Sequence, residues 1–146
     1  MFRGVAQLNL DAKGRMAIPA KYRDEILSFG YEKVVVTADP SKCLLIYPMP
    51  AWEPIEQKFN NLGLDERSRN LQRLIIGMAS DVDMDGTGRI LIPAPLREFA
   101  GLNKEVALVG QGAKFELWDA AQWKFRITNT TFDGGDIPPE LKGFSL

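Results

Sequence analysis

Two arginines stand where a side chain can meet a ligand. Arg15 and Arg89 each follow a glycine and lie four residues after an aspartate, in Asp11-Ala12-Lys13-Gly14-Arg15 and Asp85-Gly86-Thr87-Gly88-Arg89. Asp favours a turn by accepting from nearby backbone N–H groups, and Gly supplies a positive φ. A guanidinium beside such a turn, carried on a β-ribbon, can enter the major groove and read guanine in bidentate fashion. It can equally pair with the turn aspartate, and its recurrence in both segments fits a structural role. Both readings stand at this level. Lys13 gives way to Thr87 in the second segment, which argues against a shared structural role and leaves a solvated charge or a phosphate contact.

Other chemistry finds little support. The chain has no histidine, which removes the usual general base, the usual metal ligand and the Ser/His/Asp and Cys/His arrangements. Cys43 lies in an apolar run without a partner base and reads as a small core residue. Asp81-Val82-Asp83-Met84-Asp85-Gly86 opens like a calcium loop, but the position of the bidentate glutamate holds Ile92 and the flanks alternate as strands. Gly86-Thr87-Gly88 lacks the third glycine of a dinucleotide loop, where Leu91 stands, and no Lys-Ser or Lys-Thr follows at phosphate-loop spacing. The expectation is a protein that is not an enzyme, with no cofactor, no metal and no small-molecule substrate.

Charge is distributed unevenly. The net charge of the 146 residues is −1, which argues against nonspecific coating of nucleic acid. Over residues 2–23, however, Arg3, Lys13, Arg15, Lys21 and Arg23 face only Asp11, a local net of +4. Over residues 82–97, Arg89 and Arg97 are balanced by Asp83 and Asp85. Clustered Lys and Arg release phosphate counterions, so the first segment is expected to dominate any DNA binding.

The elements that must position these residues come from a repeat. Residues 8–26 and 82–100 align at a constant shift of 74 positions, pairing Asp11 with Asp85, Gly14 with Gly88, Arg15 with Arg89, Ile18-Pro19-Ala20 with Ile92-Pro93-Ala94, and Arg23 with Arg97. The match resumes at a shift of 71, pairing Leu44–Tyr47 with Phe115–Trp118 and Trp52 with Trp123. Two copies are too few for a solenoid, so a pseudo-twofold pair sharing one core is expected. Each half alone would be marginal in size.

Each copy reads as strand, turn, strand, short helix, strand, turn, strand. Val5–Leu10 and Met16–Ile18 are the first two strands, and Pro19 closes the second. Lys21–Leu27 fits a short helix stopped at Gly30. Val34–Thr37 and Cys43–Tyr47 form a hairpin, repeated by Glu105–Val109, a turn at Gly110-Gln111-Gly112, and Lys114–Trp118. Between the copies, Pro50 opens a helix with Trp52, Ile55 and Phe59 on one face, broken at Gly63. Leu71, Leu74 and Ile75 make a second stripe, and a further helix is expected from Asp119 to about Ile127. Tyr47 with Trp118, and Trp52 with Trp123, occupy equivalent positions in the two copies and are expected to pack the core or an interface. Turn signals after Asn129 indicate a loose tail. Met1-Phe2-Arg3-Gly4 lacks the apolar run of a signal peptide, no stretch has transmembrane length, and a lone cysteine points to no oxidising compartment. A cytoplasmic protein without a membrane partner is expected.

The opening MFRG, the two Asp-x-x-Gly-Arg turns each followed by Ile-Pro, LLIYPMPAWEPIEQK, ERSRNLQRLIIGMAS, DMDGTGRILIP and KFELWD closely resemble proteins of the MraZ family. The resemblance covers roughly residues 1–127. It implies an α+β, β-rich fold in which two SpoVT-AbrB-like modules form a double-split β-barrel with linking helices. The expected boundaries are 5–52 for the first module, 53–80 for a helical linker, 81–124 for the second module and, from the turn signals, 128–146 for the loose tail. It further implies a nucleoid-associated transcription regulator that forms a ring-shaped homo-oligomer. Its partner would be double-stranded DNA carrying repeated promoter boxes upstream of the cell-division and cell-wall gene cluster. The family's DNA contacts centre on the basic turn of the first module, which singles out Lys13 and Arg15, with Arg3 nearby. Arg89 matches the motif in the second module beside acidic neighbours. The rival reading is an oligomeric scaffold that binds a protein partner.

Overall fold

The computed structural model describes residues 1–30, 32–130, 138–141, 143 and 145. Eight strands and five α-helices follow one another in the described residues: β1 (Phe2–Asn9), β2 (Arg15–Ala17), α1 (Ala20–Ser28), β3 (Lys33–Ala38), β4 (Leu44–Pro48), α2 (Met49–Asn60), α3 (Glu66–Ile75), β5 (Ser80–Asp83), β6 (Arg89–Leu91), α4 (Ala94–Phe99), β7 (Glu105–Gly112), β8 (Phe115–Asp119) and α5 (Ala120–Asn129). Local chemistry sets their ends. Pro19 and Pro93 stop β2 and β6 and start α1 and α4, because proline cannot donate to a ladder but its carbonyl still accepts. The Tyr22 and Leu96 N–H groups donate to those carbonyls at 3.0 Å. Asp65 caps α3 by accepting from the Ser68 N–H at 2.9 Å.

Strand order explains why the copies need each other. One sheet runs β1-β7-β8-β4-β3-β5, and β2 pairs with β6 as a separate ribbon. All neighbours are antiparallel. Only the hairpins β3–β4 and β7–β8 lie within one copy; β1–β7, β3–β5, β4–β8 and β2–β6 cross between copies. A pseudo-twofold axis therefore passes between β8 and β4. One core takes residues from both copies, including Met16, Ile18, Val36 and Ile46 from the first and Ile90, Ile92, Leu108 and Phe115 from the second. A hairpin with one apolar face is not stable alone, and here the partner copy covers it.

The outer face of the sheet is covered differently in each half. On the first, α2 and α3 bury Val35, Leu45 and Tyr47 under Trp52 and Ile75. On the second, α5 lays Trp123 beside Ala107, Val109 and Trp118. In each layer the strand aromatic meets the helix aromatic of its own copy, with Tyr47 and Trp52 centroids 5.6 Å apart and Trp118 and Trp123 6.1 Å apart. Cys43 is buried in the second layer, and that burial pushes its thiol pKa up, as a core residue requires.

One expected turn is a strand. Gly110-Gln111-Gly112 continues β7 and pairs with Gly4, Arg3 and Phe2 of β1. The hairpin turns instead at Ala113 and Lys114, where the Gln111 N–H donates to the Lys114 carbonyl at 2.9 Å. Gly110 marks close approach rather than a bend, because a Cβ there would strike the β1 backbone at Arg3, whereas Gly112 faces open space and holds a positive φ of +81° where the strand ends. The expected tail falls largely on residues 131–137, 142, 144 and 146, which lie outside the described residues. The result is a mixed α+β, strand-rich protein built on antiparallel sheet.

Candidate nucleic-acid interface

The turns that carry Arg15 and Arg89 are built around one carboxylate each. The Asp11 carbonyl accepts from the Gly14 N–H at 3.0 Å, and the Asp11 N–H donates to the Arg15 carbonyl at 2.9 Å. Its side-chain Oδ1 accepts from the N–H groups of Lys13 and Arg15, both at 2.9 Å, and Oδ2 accepts from Arg15 Nε at 2.7 Å. Asp85 repeats this pattern with Gly88, Thr87 and Arg89, and its Oδ2 accepts from Arg89 Nε at 2.9 Å. Thr87 adds its hydroxyl to Asp85 Oδ1 at 2.8 Å. The Arg15 N–H is the largest influence that lowers the Asp11 carboxyl, to about 2. The Arg89 N–H, and then the Thr87 hydroxyl, hold Asp85 well below the usual carboxylate range.

The two readings of these arginines therefore coexist. Nε braces the turn. No described residue accepts from Nη1 or Nη2 of either arginine. A guanidinium held by one edge and open at the other is oriented before it meets a ligand, so less freedom is lost on binding.

The ribbon sets these arginines on one face, at its two ends. Arg15 lies opposite Leu91, Met16 opposite Ile90, and Ala17 opposite Arg89. Met16 and Ile90 point into the core, so alternation sends Arg15, Ala17, Arg89 and Leu91 to the outer face. Each turn is then held by the other copy. The Ile18 N–H donates to the Gly88 carbonyl at 2.9 Å, and the Ile92 N–H to the Gly14 carbonyl at 3.0 Å. The Arg23 guanidinium lies against Gly88 and that of Arg97 against Gly14, where a Cβ on either glycine would overlap it. Both glycines also hold positive φ, +79° at Gly88 and +87° at Gly14. Arg23 Nη2 donates to the Ile18 carbonyl at 3.0 Å.

Of the four expected residues, Arg15 and Arg89 are brought onto one face, and Lys13 is exposed on the first turn. Arg3 is not brought there. It sits at the start of β1, and the turn follows the far end of that strand. At about 3.3 Å per residue this is roughly 25 Å away. Sequence reading missed the task of Arg23 and Arg97: they recur at the same shift as the turns, yet an interlock between copies is visible only once β2 and β6 pair. Among the described residues, no group of three or more His, Cys, Asp or Glu side chains is placed to hold a metal ion.

A family model described as "MraZ protein, putative antitoxin-like" matches residues 1–74 and again 75–130. The chain belongs to the MraZ family. Its match to two successive stretches agrees with the duplicated module. A transcriptional regulator MraZ of Nitrosomonas europaea is 67% identical over 100% of both chains. That of Nitrosomonas eutropha is 65% identical, and that of Coxiella burnetii 51% identical, each again over 100% of both chains. Among the described residues of this MraZ-family chain, no helix is long and apolar enough to cross a membrane.

Proposed function

We propose that this chain is a sequence-specific DNA-binding transcription regulator and not an enzyme. One observation carries the reading: the β2–β6 ribbon presents Arg15 and Arg89 on one outer face, each guanidinium braced through Nε by its turn aspartate. A two-stranded ribbon fits the major groove, and a guanidinium reads guanine through its O6 and N7 acceptors. In this proposal Arg15 reads a guanine edge and Lys13 holds a neighbouring phosphate. Arg89 is the second candidate reader. Arg3 is a separate phosphate contact at the other end of β1. The printed names of the relatives, all transcriptional regulators, support the same class of activity.

The finer parts of the proposal follow the family resemblance. The six-stranded sheet and the ribbon around one core are read as a double-split β-barrel, with modules over 5–52 and 81–124 and a helical linker over 53–80. The chain acts as a ring-shaped homo-oligomer on repeated boxes before the cell-division and cell-wall genes, in the cytoplasm and on the nucleoid. A ring would set several modest basic patches along repeated boxes and raise avidity through effective concentration.

The test is titration of a duplex from upstream of the chain's own gene, over a salt series, beside scrambled DNA and an Arg15→Ala variant of verified fold. Preference for the fragment, weakening steeply with salt and lost in the variant, supports the regulator. No preference sinks it and favours the scaffold reading, for which the exposed Phe125 and Ile127 of α5 offer apolar contact surface.

A further inference from the structure

The surroundings of the two turns differ in a way that neither turn's own sequence reveals. The residue before each turn aspartate is tied to a segment from the other copy. The Leu10 N–H donates to the Lys104 carbonyl at 2.8 Å, and the Met84 N–H donates to the Glu32 carbonyl at 2.8 Å. Leu10 and Met84 correspond at the repeat shift, so Lys104 and Glu32 occupy equivalent places of opposite charge. Both are exposed. Lys104 shares an open cleft with Asp11 and Ala12 of the first turn and with Arg97 and Glu98 of α4. No ion pair among the described residues involves Lys104 or Glu32.

The asymmetry is cumulative. Around the first turn, Lys13, Arg15, Arg97 and Lys104 face Asp11 and Glu98. At the equivalent positions around the second, Arg89 and Arg23 face Asp85, Asp24 and Glu32. With the next residues included, Glu105 at the first turn and the Lys33–Asp83 pair at the second, four cations against three carboxylates become three against four. A polyanion close to both turns is drawn to one end of the ribbon and repelled from the other.

We propose that Lys104 is a further phosphate-binding residue of the first turn, and that Glu32 is its repulsive counterpart at the second, so that the ribbon lies on duplex DNA in one of its two pseudo-equivalent orientations. The inference rests on the ribbon being the DNA-binding face, and it names what orients that face. Lys104 acts on the sugar–phosphate backbone and carries no base preference of its own. Glu32 acts by excluding the reversed placement, in which the phosphates near Lys104 would lie near a carboxylate.

The experiment uses the full chain and a duplex carrying a single asymmetric box from upstream of its own gene. Affinity is measured over a salt series for the wild type, Lys104→Gln, Lys104→Arg, Glu32→Lys and a control, Lys124→Gln, on the exposed surface of α5. Thermal melts verify the fold of each. For Lys104→Gln the slope of log affinity against log salt should fall by about 0.9, the loss of one phosphate contact. Lys104→Arg should restore it, and Lys124→Gln should leave it unchanged. Glu32→Lys should tighten binding and make the hydroxyl-radical footprint symmetric about the box. A Lys104→Gln slope equal to wild type, or a Glu32→Lys footprint as asymmetric as wild type, overturns this inference while the wild type still prefers the box. A wild type with no preference for the box overturns the proposed function and this inference with it.

Discussion

The turn at residues 11–14 and the turn at residues 85–88 share the same backbone hydrogen bonds, the same Asp-to-Arg Nε pair and the same glycine at positive φ. They differ in what surrounds that frame. Lys13 stands where Thr87 closes a fourth bond onto its aspartate. Duplication preserved the part that folds, because each turn is a docking point for an arginine of the other copy and neither can change without disturbing both. Charges that touch only solvent carry no such constraint, so the two copies can diverge there. The comparison separates scaffold from ligand contact more cleanly than either turn does alone.

The largest effect should fall on the shared frame. Gly14→Ala and Gly88→Ala each force a left-handed residue and a side chain into a packed guanidinium, and each should cost about 2–5 kcal/mol. Urea unfolding should give nearly equal losses, and a clear inequality would break the equivalence of the frames. DNA binding should divide the turns instead. Arg15→Ala should weaken binding to a box by about 1–3 kcal/mol, and Arg89→Ala by less. Equal losses in a duplex titration would mean that both arginines read bases. Smaller again is the exchange of Lys13→Thr with Thr87→Lys. The first should lower the salt slope by about 0.9. The second should raise it only if the second turn also meets phosphate.

The smallest effect is a pH dependence of stability. Asp11 titrates at about 2 in the folded chain against an ordinary 3.8. A depressed carboxyl contributes stability that is present above its unfolded pKa and lost as pH falls through its folded one. The gap in unfolding midpoint between wild type and Asp11→Asn should therefore hold steady above pH 4 and close toward pH 2. Asp85 is held lower still, so the gap for Asp85→Asn should persist further into acid. Both carboxylates are exposed, which keeps each gap small. Closure at the same pH for both would remove the electrostatic distinction between the turns.

Much of this was legible along the chain because the signals are local. The turn residues, the closing prolines and the helix stop at Gly30 each act within a few residues of themselves. Gly110 misled for the same reason: glycine marks either a bend or a close approach, and only the neighbouring strand distinguishes them. Arg3 misled through distance, since residues close in number separate quickly along an extended strand.

The sequence by itself determined that two like modules exist, that Asp11–Gly14 and Asp85–Gly88 turn the chain, and that the first module is the more basic over its opening residues. Tertiary structure alone decided the partners of each module. β1 seeks β7, β5 seeks β3, and the ribbon joins β2 to β6. That exchange sets Arg15 and Arg89 on one face of the ribbon, lays Arg97 on Gly14, and brings Lys104 to the first turn and Glu32 to the second. The physical reason is that hydrogen-bonded pairing and core burial are non-local. A half-buried strand carries in its own residues the face it must cover, but not the identity of the strand that will cover it.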